Sequence, residues 1–229
     1  MSDYSGFKHL EIDGWSNAAR AKGYVELFAQ ASDQAIGPLL DAAGAKAGQN
    51  ALDLCCGQGN VTQALLARGC NVTGADFSKA MLEMAEKREP HATFVEADAQ
   101  DLPFADKTFD VVVSNLGICH VPDQPLALRQ ARRVLKPGGR FAMTVWCGPP
   151  VALGYAVLYD ALKKFGATGI SAPPGPDFHL VADRTTAERM LTDAGFTGIG
   201  HSIADCAWSY DRPEGFVEMY GFLSMERET

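Results

Sequence analysis

Short apolar runs recur along the middle of the chain, separated by longer amphipathic stretches. Each run is almost continuously apolar rather than alternating, which is typical of strands buried on both faces of a parallel sheet. Because parallel strands need crossover connections, the stretches between them are expected to be helices. Five strands are predicted in this way, over residues 51–55, 71–75, 92–97, 109–114 and 140–146.

The stretches between these strands carry helix signals. Residues 61–67 have apolar positions at helical spacing, and Gly69 is a plausible stop. A helix over 78–88 begins with Ser78 as its N-cap, and Asp123 can cap a helix that ends before residues 136–139, Lys-Pro-Gly-Gly. The alternation of strand and helix predicts an α/β domain.

Helices are also predicted before the first strand, over residues 15–30 and 36–43. Packing on a sheet face explains most of their aromatic residues. Alternatively, Trp15, Lys22 or Tyr24 closes over a ligand.

The C-terminal part of the chain changes character. A helix is predicted over 151–165, followed by a Gly- and Pro-rich loop over 166–177, and Phe178 and His179 come next. This segment is either a substrate cover or a solvated surface loop. A helix over 185–194 has a possible capping box from Thr185 to Glu188 and stops at Gly195. Two further strands are predicted over 199–204 and 206–210, and the apolar segment 216–225 is expected to dock on the domain.

Composition narrows the function classes. The 229 residues fit one domain, and the net charge of −8 without a basic stripe argues against a nucleic-acid partner. No run of about 18 apolar residues and no signal peptide is evident, so a cytoplasmic protein without a membrane span is expected. The six cysteines form no C-x-x-C pair, which favours reduced, buried thiols over disulfides or a metal site.

A glycine turn directly follows the first strand. Gly57 and Gly59 allow a sharp turn and close approach of a ligand, and Asp76 ends the second strand 17 residues after Gly59 (76 − 59). This is near the roughly 20 residues that separate a nucleotide-binding turn from its ribose-binding carboxylate. A dinucleotide dehydrogenase would have a third glycine where this chain has Thr62, which counts against a nicotinamide cofactor.

The run Asp-Leu-Cys-Cys-Gly-Gln-Gly at 53–59 resembles the signature of class I S-adenosylmethionine-dependent methyltransferases. Cys55 departs from that signature, which usually has glycine, and a slightly altered turn is expected there. The runs 132–141 (RRVLKPGGRF) and 190–196 (MLTDAGF) are also similar to this family, and the resemblance is to its small-molecule members related to ubiquinone and menaquinone biosynthesis.

The resemblance implies one doubly wound, Rossmann-like domain of seven strands, mostly parallel with the last antiparallel. Within residues 1–229 it implies an N-terminal helical cover (1–49), a cofactor-binding core (50–147), a substrate-cover insertion (148–183) and the C-terminal part of the sheet (184–229). Substrate specificity is expected in 1–30 and 148–183.

The resemblance also implies site residues. Asp76 would bind the ribose, Phe77 would lie against the adenine or pack in the core, and Asp98 beside Ala99 would accept from the adenine amine or cap a turn. Asn115 lies at the expected switch point of the sheet, where it can hold the amino-acid part of the cofactor or orient the substrate. The expected cofactor-binding residues are Tyr24, Asp53, Cys55, Gly57, Gly59, Asp76, Phe77, Met81, Asp98, Ala99 and Asn115.

The implied activity is transfer of a methyl group from S-adenosylmethionine to an O, N, S or C nucleophile of a small molecule, leaving S-adenosylhomocysteine. A general base is needed only if the nucleophile must lose a proton early, and His120 is better placed for this than His9, His179 or His201. Two alternatives are a nicotinamide-dependent oxidoreductase and a non-catalytic S-adenosylmethionine-binding protein.

Overall fold

The computed structural model describes residues 4–148, 151–165, 173–212 and 214–215. Its centre is a parallel sheet of five strands in the order β3-β2-β1-β4-β5. The five strands confirm the positions predicted from the apolar runs. They are β1 (Asn50–Leu54), β2 (Asn71–Asp76), β3 (Thr93–Glu96), β4 (Phe109–Asn115) and β5 (Leu135–Thr144).

The crossover helices also lie where the sequence predicts them. They are α5 (Asn60–Ala67), α6 (Lys79–Arg88) and α7 (Gln124–Val134). The Ser78 hydroxyl accepts from the Met81 backbone N–H at 3.2 Å, and Asp123 Oδ1 accepts from that of Leu126 at 2.8 Å. These bonds satisfy N–H groups that the helix itself leaves without a partner. The chain runs outward from β1 to β3 and then returns to β4 on the other side of β1, which makes the sheet doubly wound.

Both faces of the sheet are covered by helices. Val112 of β4 packs with Ala127 and Ala131 of α7 in one buried cluster. Val111 and Val113, which point to the opposite face, belong to a second cluster with residues of α4 (Ile36–Ala43) and α5. This double burial explains why the strands are continuously apolar rather than alternating.

Before β1, the chain folds into several short helices. They are α1 (Ser5–Ser16), α2 (Ala18–Gly23), a π-helical turn (Tyr24–Phe28), α3 (Ala29–Ser32) and a 3-10 turn (Asp33–Ala35). The predicted single helix over 15–30 is divided at Asn17, whose Oδ1 accepts from the Ala19 and Arg20 N–H groups and caps α2. Residues 4–35 are called the N-terminal cover below. The predicted helix over 36–43 is confirmed, and Gly44 ends it with φ +64°.

Two predicted strands, 199–204 and 206–210, are wrong: the described residues beyond β5 include none. Residues 200–205 are all exposed, and Ile203 is 64% accessible, so this segment buries no apolar face against the edge of β5. The described sheet therefore has five strands rather than seven, without an antiparallel last strand. The predicted docking segment 216–225 lies outside the described residues.

Two local predictions are also corrected. β5 begins at Leu135, and the Lys-Pro-Gly-Gly stretch loops out between the pairs Phe109–Leu135 and Val111–Arg140. The helix α9 (Arg184–Asp193) is capped by Asp183, which accepts from the Thr186 N–H at 2.8 Å, instead of by Thr185. Glu188 pairs with Arg184 one turn earlier, so it does not close a capping box. Gly195, with φ +89°, follows the helix end as predicted.

The segment after β5 is described only in part. A helix α8 (Leu153–Phe165) is present as predicted, whereas 166–172 of the predicted loop lie outside the described residues. None of the helices described here is long and apolar enough to cross a membrane. The described residues also contain no group of three or more His, Cys, Asp or Glu side chains arranged to hold a metal ion.

Candidate functional site

A cleft opens at the carboxyl ends of β1, β2 and β4, beneath α1 of the N-terminal cover. It lies where the strand order reverses between β1 and β4. Ligands of open α/β sheets bind at this position, because loops diverge there and leave a crevice.

The turn after β1 forms the floor of the cleft. The backbone has positive φ at Cys55 (60°), Gly57 (52°) and Gly59 (80°), and the Cys56 N–H bonds to the Ala75 carbonyl at 3.1 Å. A Cβ added to Gly57 would meet no atom within 4 Å, so a ligand can approach this backbone closely. A Cβ on Gly59 would lie 3.0 Å from Cβ and 3.2 Å from Cα of Ala85 in α6. The first glycine leaves room for a ligand, and the second allows the turn to pack against a helix.

Cys55 adopts a backbone conformation that favours glycine, and it has a compensating neighbour. Its side chain lies where a Cβ on Gly117 would be, since an added Cβ at that position would overlap the Cys55 Cβ. Cys55 still lines the cleft, and the turn around it is intact. Positions 55 and 117 thus share space for one side chain.

Asp76 joins the ends of β1 and β2. Its Oδ2 accepts from the Gly57 N–H and its Oδ1 from the Ser78 N–H, both at 2.9 Å. Burial raises the pKa of Asp76, although the bonds from Ser78 and Gly57 oppose that rise. Each carboxylate oxygen can accept more than one hydrogen bond, so both can also accept from neighbouring ligand hydroxyls.

Asp53 lies behind the cleft instead of in its wall. It is 1% exposed, and its Oδ2 accepts from the Thr62 hydroxyl at 2.7 Å. Among the described residues no group bonds to Oδ1. Burial raises the pKa of Asp53 to about 7, against the lowering effect of Thr62. Thr62, at the position of a dehydrogenase's third glycine, therefore holds this buried acid.

The remaining predicted cofactor residues are brought together. Of the eleven predicted cofactor residues, Asp53 and Gly59 do not line the cleft. The nine that line it are Tyr24, Cys55, Gly57, Asp76, Phe77, Met81, Asp98, Ala99 and Asn115. Asn115 is held firmly, because its Nδ2 donates to the Ser32 carbonyl at 3.1 Å and its Oδ1 accepts from the Thr144 hydroxyl at 2.5 Å.

Asp98 is paired with the N-terminal cover. Lys8 Nζ lies 2.8 Å from its Oδ2, and the backbone and side chain of Gln100 donate to its Oδ1. Partial burial would raise the pKa of Asp98, but the bonds from Lys8 and Gln100 lower it below its ordinary value. Asp98 thus both forms a local turn and faces the cleft.

His120 is the histidine that lines the cleft, as predicted. Its Nδ1 lies 2.9 Å from Glu11 Oε2, and the same oxygen accepts from Trp15 Nε1 at 2.9 Å. The rings of Trp15 and Phe178 meet the imidazole edge-on, each with centroids 5.4 Å away.

The other residues proposed from the sequence divide between the cleft and the surface. Trp15 and Tyr24 line the cleft with their rings 5.1 Å apart, whereas Lys22 is exposed and pairs with Glu26. His9 bonds to the Ser5 carbonyl, and His179 bonds to that of Trp146. Neither these two histidines nor the exposed His201 is among the residues that line the cleft.

Sequence reasoning proposed Trp15 of α1 but missed the other residues by which this helix contributes to the cleft. Lys8, Glu11, Ile12 and Trp15 all line the cleft. Their spacing of i, i+3, i+4 and i+7 places them on one helix face, which is the signal that could have revealed them. Two of the four are charged, so a search for apolar periodicity does not find this face.

Comparisons with known proteins agree with this site. A family model described as a methyltransferase domain matches residues 52–143. The demethylmenaquinone methyltransferase of Clavibacter sepedonicus is 35% identical, over 81% of this chain and 78% of its own. The ubiquinone/menaquinone biosynthesis C-methyltransferase UbiE of Klebsiella pneumoniae is 33% identical, over 71% of this chain and 72% of its own.

Solved structures give the same fold. A chain in the complex between the Haloferax volcanii Trm112 methyltransferase activator and a proposed methyltransferase is 25% identical, with a TM-score of 0.60 over 81% of this chain and 74% of that one. A structure from Methanococcus maripaludis superposes with a TM-score of 0.57 over 78% of this chain and 84% of that one. Because the two are only 21% identical, this likeness supports the fold alone.

Proposed function

The chain belongs to the class I S-adenosylmethionine-dependent methyltransferases, and from this premise we propose that it methylates a hydroxylated aromatic ring bound beside His120. The enzyme transfers a methyl group from S-adenosylmethionine to a small molecule and releases S-adenosylhomocysteine. The identity of the acceptor and the roles of individual residues are the proposed part.

The cleft fits the cofactor. Gly57 leaves its backbone open to a ligand, and Asp76 presents a carboxylate at the end of β2, where ribose hydroxyls can donate to it. Asp98 and Phe77 would hold the adenine, with Asn115 near the amino-acid end. When bound, S-adenosylmethionine supplies a methyl carbon that its sulfonium makes electrophilic.

The observation that carries the acceptor proposal is the aromatic frame around His120. Trp15 and Phe178 contact the imidazole edge-on, and Trp15 meets Tyr24 edge-on where both line the cleft. Flat apolar walls with one polar group suit a planar ring that bears a hydroxyl. The two curated relatives described above are named for quinones, which belong to this chemical class.

The protein's chemical contribution would be mainly positioning. Holding acceptor and methyl donor in line can lower the barrier by roughly 7–11 kcal/mol. We assign His120 the role of a general base that takes the hydroxyl proton of the acceptor, which makes the ring a stronger nucleophile. The N-terminal cover would shield this step from water.

Two experiments test the proposal in sequence. Calorimetric titration with S-adenosylmethionine, S-adenosylhomocysteine and NAD should give binding of the two sulfur compounds and none of NAD. Transfer of labelled methyl from S-adenosylmethionine should then occur with reduced 1,4-naphthoquinones, and not with matched amines or thiols. Transfer only to amines or thiols would contradict the acceptor class. Cofactor binding without transfer to any acceptor would favour a non-catalytic binding protein.

A further inference from the structure

Glu11 stands apart from the proposed site residues because it reaches the cleft from the N-terminal cover and contacts His120 directly. This inference rests on the proposed function. We propose that Glu11 is a positioning residue, which orients His120 and stabilises the protonated imidazole. Removal of the acceptor's proton then requires that α1 lie over the cleft.

The geometry around Glu11 is that of a fixed hydrogen-bond chain. Trp15 Nε1 donates to Glu11 Oε2 at 2.9 Å, and the same oxygen lies 2.9 Å from His120 Nδ1. The Glu11 side chain is 17% exposed and that of His120 is 29% exposed. Partial removal from water strengthens such a chain, because competing solvent dipoles are fewer.

The pairing fixes which ring nitrogen faces the reaction. An ionised carboxylate can only accept, so Nδ1 carries the hydrogen that lies towards Glu11. In the neutral ring, Nε2 then has the lone pair. The backbone also holds the imidazole, because the His120 N–H bonds to the Gly117 carbonyl at 3.1 Å.

The proton transfer involves only the acceptor and the pair formed by Glu11 and His120. The O–H bond of the acceptor breaks, a bond from hydrogen to Nε2 forms, and the electron pair stays on the acceptor oxygen, from which it spreads into the ring. His120 becomes an imidazolium whose charge is offset by Glu11. The proton returns to water when the product leaves.

The charges around His120 support the same assignment. The titratable groups that face it are Glu11 on α1, Cys119 in the same turn and Asp76 at the end of β2. Burial disfavours the imidazolium, but Cys119 and Glu11 favour it, and the pKa of His120 lies well above its ordinary value. Burial by itself raises the pKa of Glu11. The hydrogen bond with His120 and the charge of His120 lower that pKa below its ordinary value. The pairing therefore favours the charged form of both side chains, and base activity should increase as His120 loses its proton.

Two anchors hold Glu11 in place by docking α1 on cofactor-binding elements. Lys8 pairs with Asp98, and the Ser78 hydroxyl donates to the Trp15 carbonyl at 2.6 Å. Ser78 and Asp98 follow β2 and β3, so the position of Glu11 depends on the same strand ends that would hold the cofactor.

The test compares Glu11→Gln with Asp13→Asn, an exposed acid on the same helix. Side-chain NMR of the 229-residue chain, with and without S-adenosylhomocysteine, follows the titration of His120. The pH profile of methyl transfer is measured in parallel. Glu11→Gln should lower the pKa of His120, move the acidic limb of kcat/KM to lower pH and reduce the plateau kcat about 10-fold or more. Asp13→Asn should change none of the three.

Different failures identify different errors. An unchanged His120 titration in folded Glu11→Gln, or a lower kcat with an unmoved acidic limb, would overturn the positioning role. Glu11→Asp, which keeps the charge, should retain most of the raised pKa, and a pKa as low as in Glu11→Gln would also contradict the proposal. If the wild type transfers methyl to no acceptor, the proposed function fails, while the NMR titration still decides whether Glu11 controls His120.

Discussion

The strand ends of the sheet and the N-terminal cover line the same cleft, but they are built in different ways. At the strand ends, Asp76 is fixed by the N–H groups of Gly57 and Ser78, which belong to the turns beside it. In the cover, Lys8 and Glu11 are fixed by Asp98 and His120, which are 90 and 109 residues away in sequence.

This difference separates two sources of function. Parallel strands place whatever follows them at one edge, so backbone topology alone assembles the first set. The second set exists only if α1 docks, and its members depend on partners from distant parts of the chain. Substitutions at the strand ends should therefore weaken cofactor binding strongly or alter folding, whereas substitutions in the cover should change cofactor binding less.

The largest expected effect concerns a buried acid of the sheet. The pKa of Asp53 is about 7 in the folded protein against 3.8 ordinarily, so the folded state binds the proton more tightly. This stabilising contribution is fully present below pH 4 and is lost as pH rises towards and through 7, by roughly 4 kcal/mol from this group. Asp53→Asn should flatten this slope in urea denaturation between pH 4 and pH 7.

Asp98→Asn is the matched control for that slope. The pKa of Asp98 is lowered by pairing, so its contribution is present above its ordinary pKa and is lost only as pH falls through the lower folded value. Between pH 4 and pH 7 this variant should keep the wild-type slope. Equal slopes of stability against pH for wild type and Asp53→Asn would mean that burial does not raise the pKa of Asp53.

Next in size is cofactor affinity. Asp76→Asn keeps an acceptor oxygen for one of the two backbone N–H groups and removes the charge that ribose hydroxyls would face. A lost hydrogen bond to a charged group costs about 1.5–3 kcal/mol, so affinity for S-adenosylhomocysteine should fall about 10- to 100-fold by calorimetry. Asp193→Asn at the exposed end of α9 should bind as wild type does, and the same affinity in Asp76→Asn would remove Asp76 from the site.

A pair of alanine substitutions separates packing from binding in the glycine turn. Gly59→Ala combines positive φ with a crowded Cβ and should cost about 1–2 kcal/mol of folding free energy. Gly57→Ala places its methyl in the open cleft, so it should be destabilised less and should bind S-adenosylhomocysteine more weakly. Denaturant unfolding and calorimetry on both variants check this, and a reversed order would exchange the two roles.

The smallest effect is expected in the cover. Lys8 Nζ takes up one acceptor position on Asp98 Oδ2 and competes there with an adenine amine, so Lys8→Met should strengthen cofactor binding. An exposed ion pair contributes about 0.2–1 kcal/mol, which corresponds to a gain of roughly 1.5- to 5-fold. Lys79→Met removes another surface pair, with Glu96, and should leave affinity unchanged. Weaker binding in Lys8→Met would mean that Lys8 contacts the cofactor itself.

The sequence was sufficient to predict the parts whose determinants are local. The five strands, the caps Ser78 and Asp123 and the position of His120 follow from apolar runs and their boundaries. Asp53 was assigned to the cofactor because it belongs to the motif, yet it faces Thr62 inside the domain. Glu11 could not be found in this way, because its partner His120 is known only once α1 is docked.

The C-terminal strands failed for a related reason. Ile199 and Ile203 gave residues 199–204 the appearance of a strand, but a strand also needs a neighbour that accepts its bonds and covers its face. In the described residues nothing buries this segment, and Ile203 stays exposed. Residues 199–204 favour a strand locally, but in the described part of the chain no neighbouring strand pairs with them.

The space shared by Cys55 and Gly117 restricts the order in which mutations can accumulate. Ala at position 117 is obstructed while Cys55 is present, whereas with glycine at position 55 its Cβ would be freed from Cys55 and would still meet the Ser114 hydroxyl at 3.0 Å, so the two substitutions are strongly non-additive. A lineage that starts from glycine at position 55 can acquire cysteine there only while position 117 is still glycine. Once cysteine is fixed, position 117 can no longer vary, although it lies outside the glycine-rich motif itself.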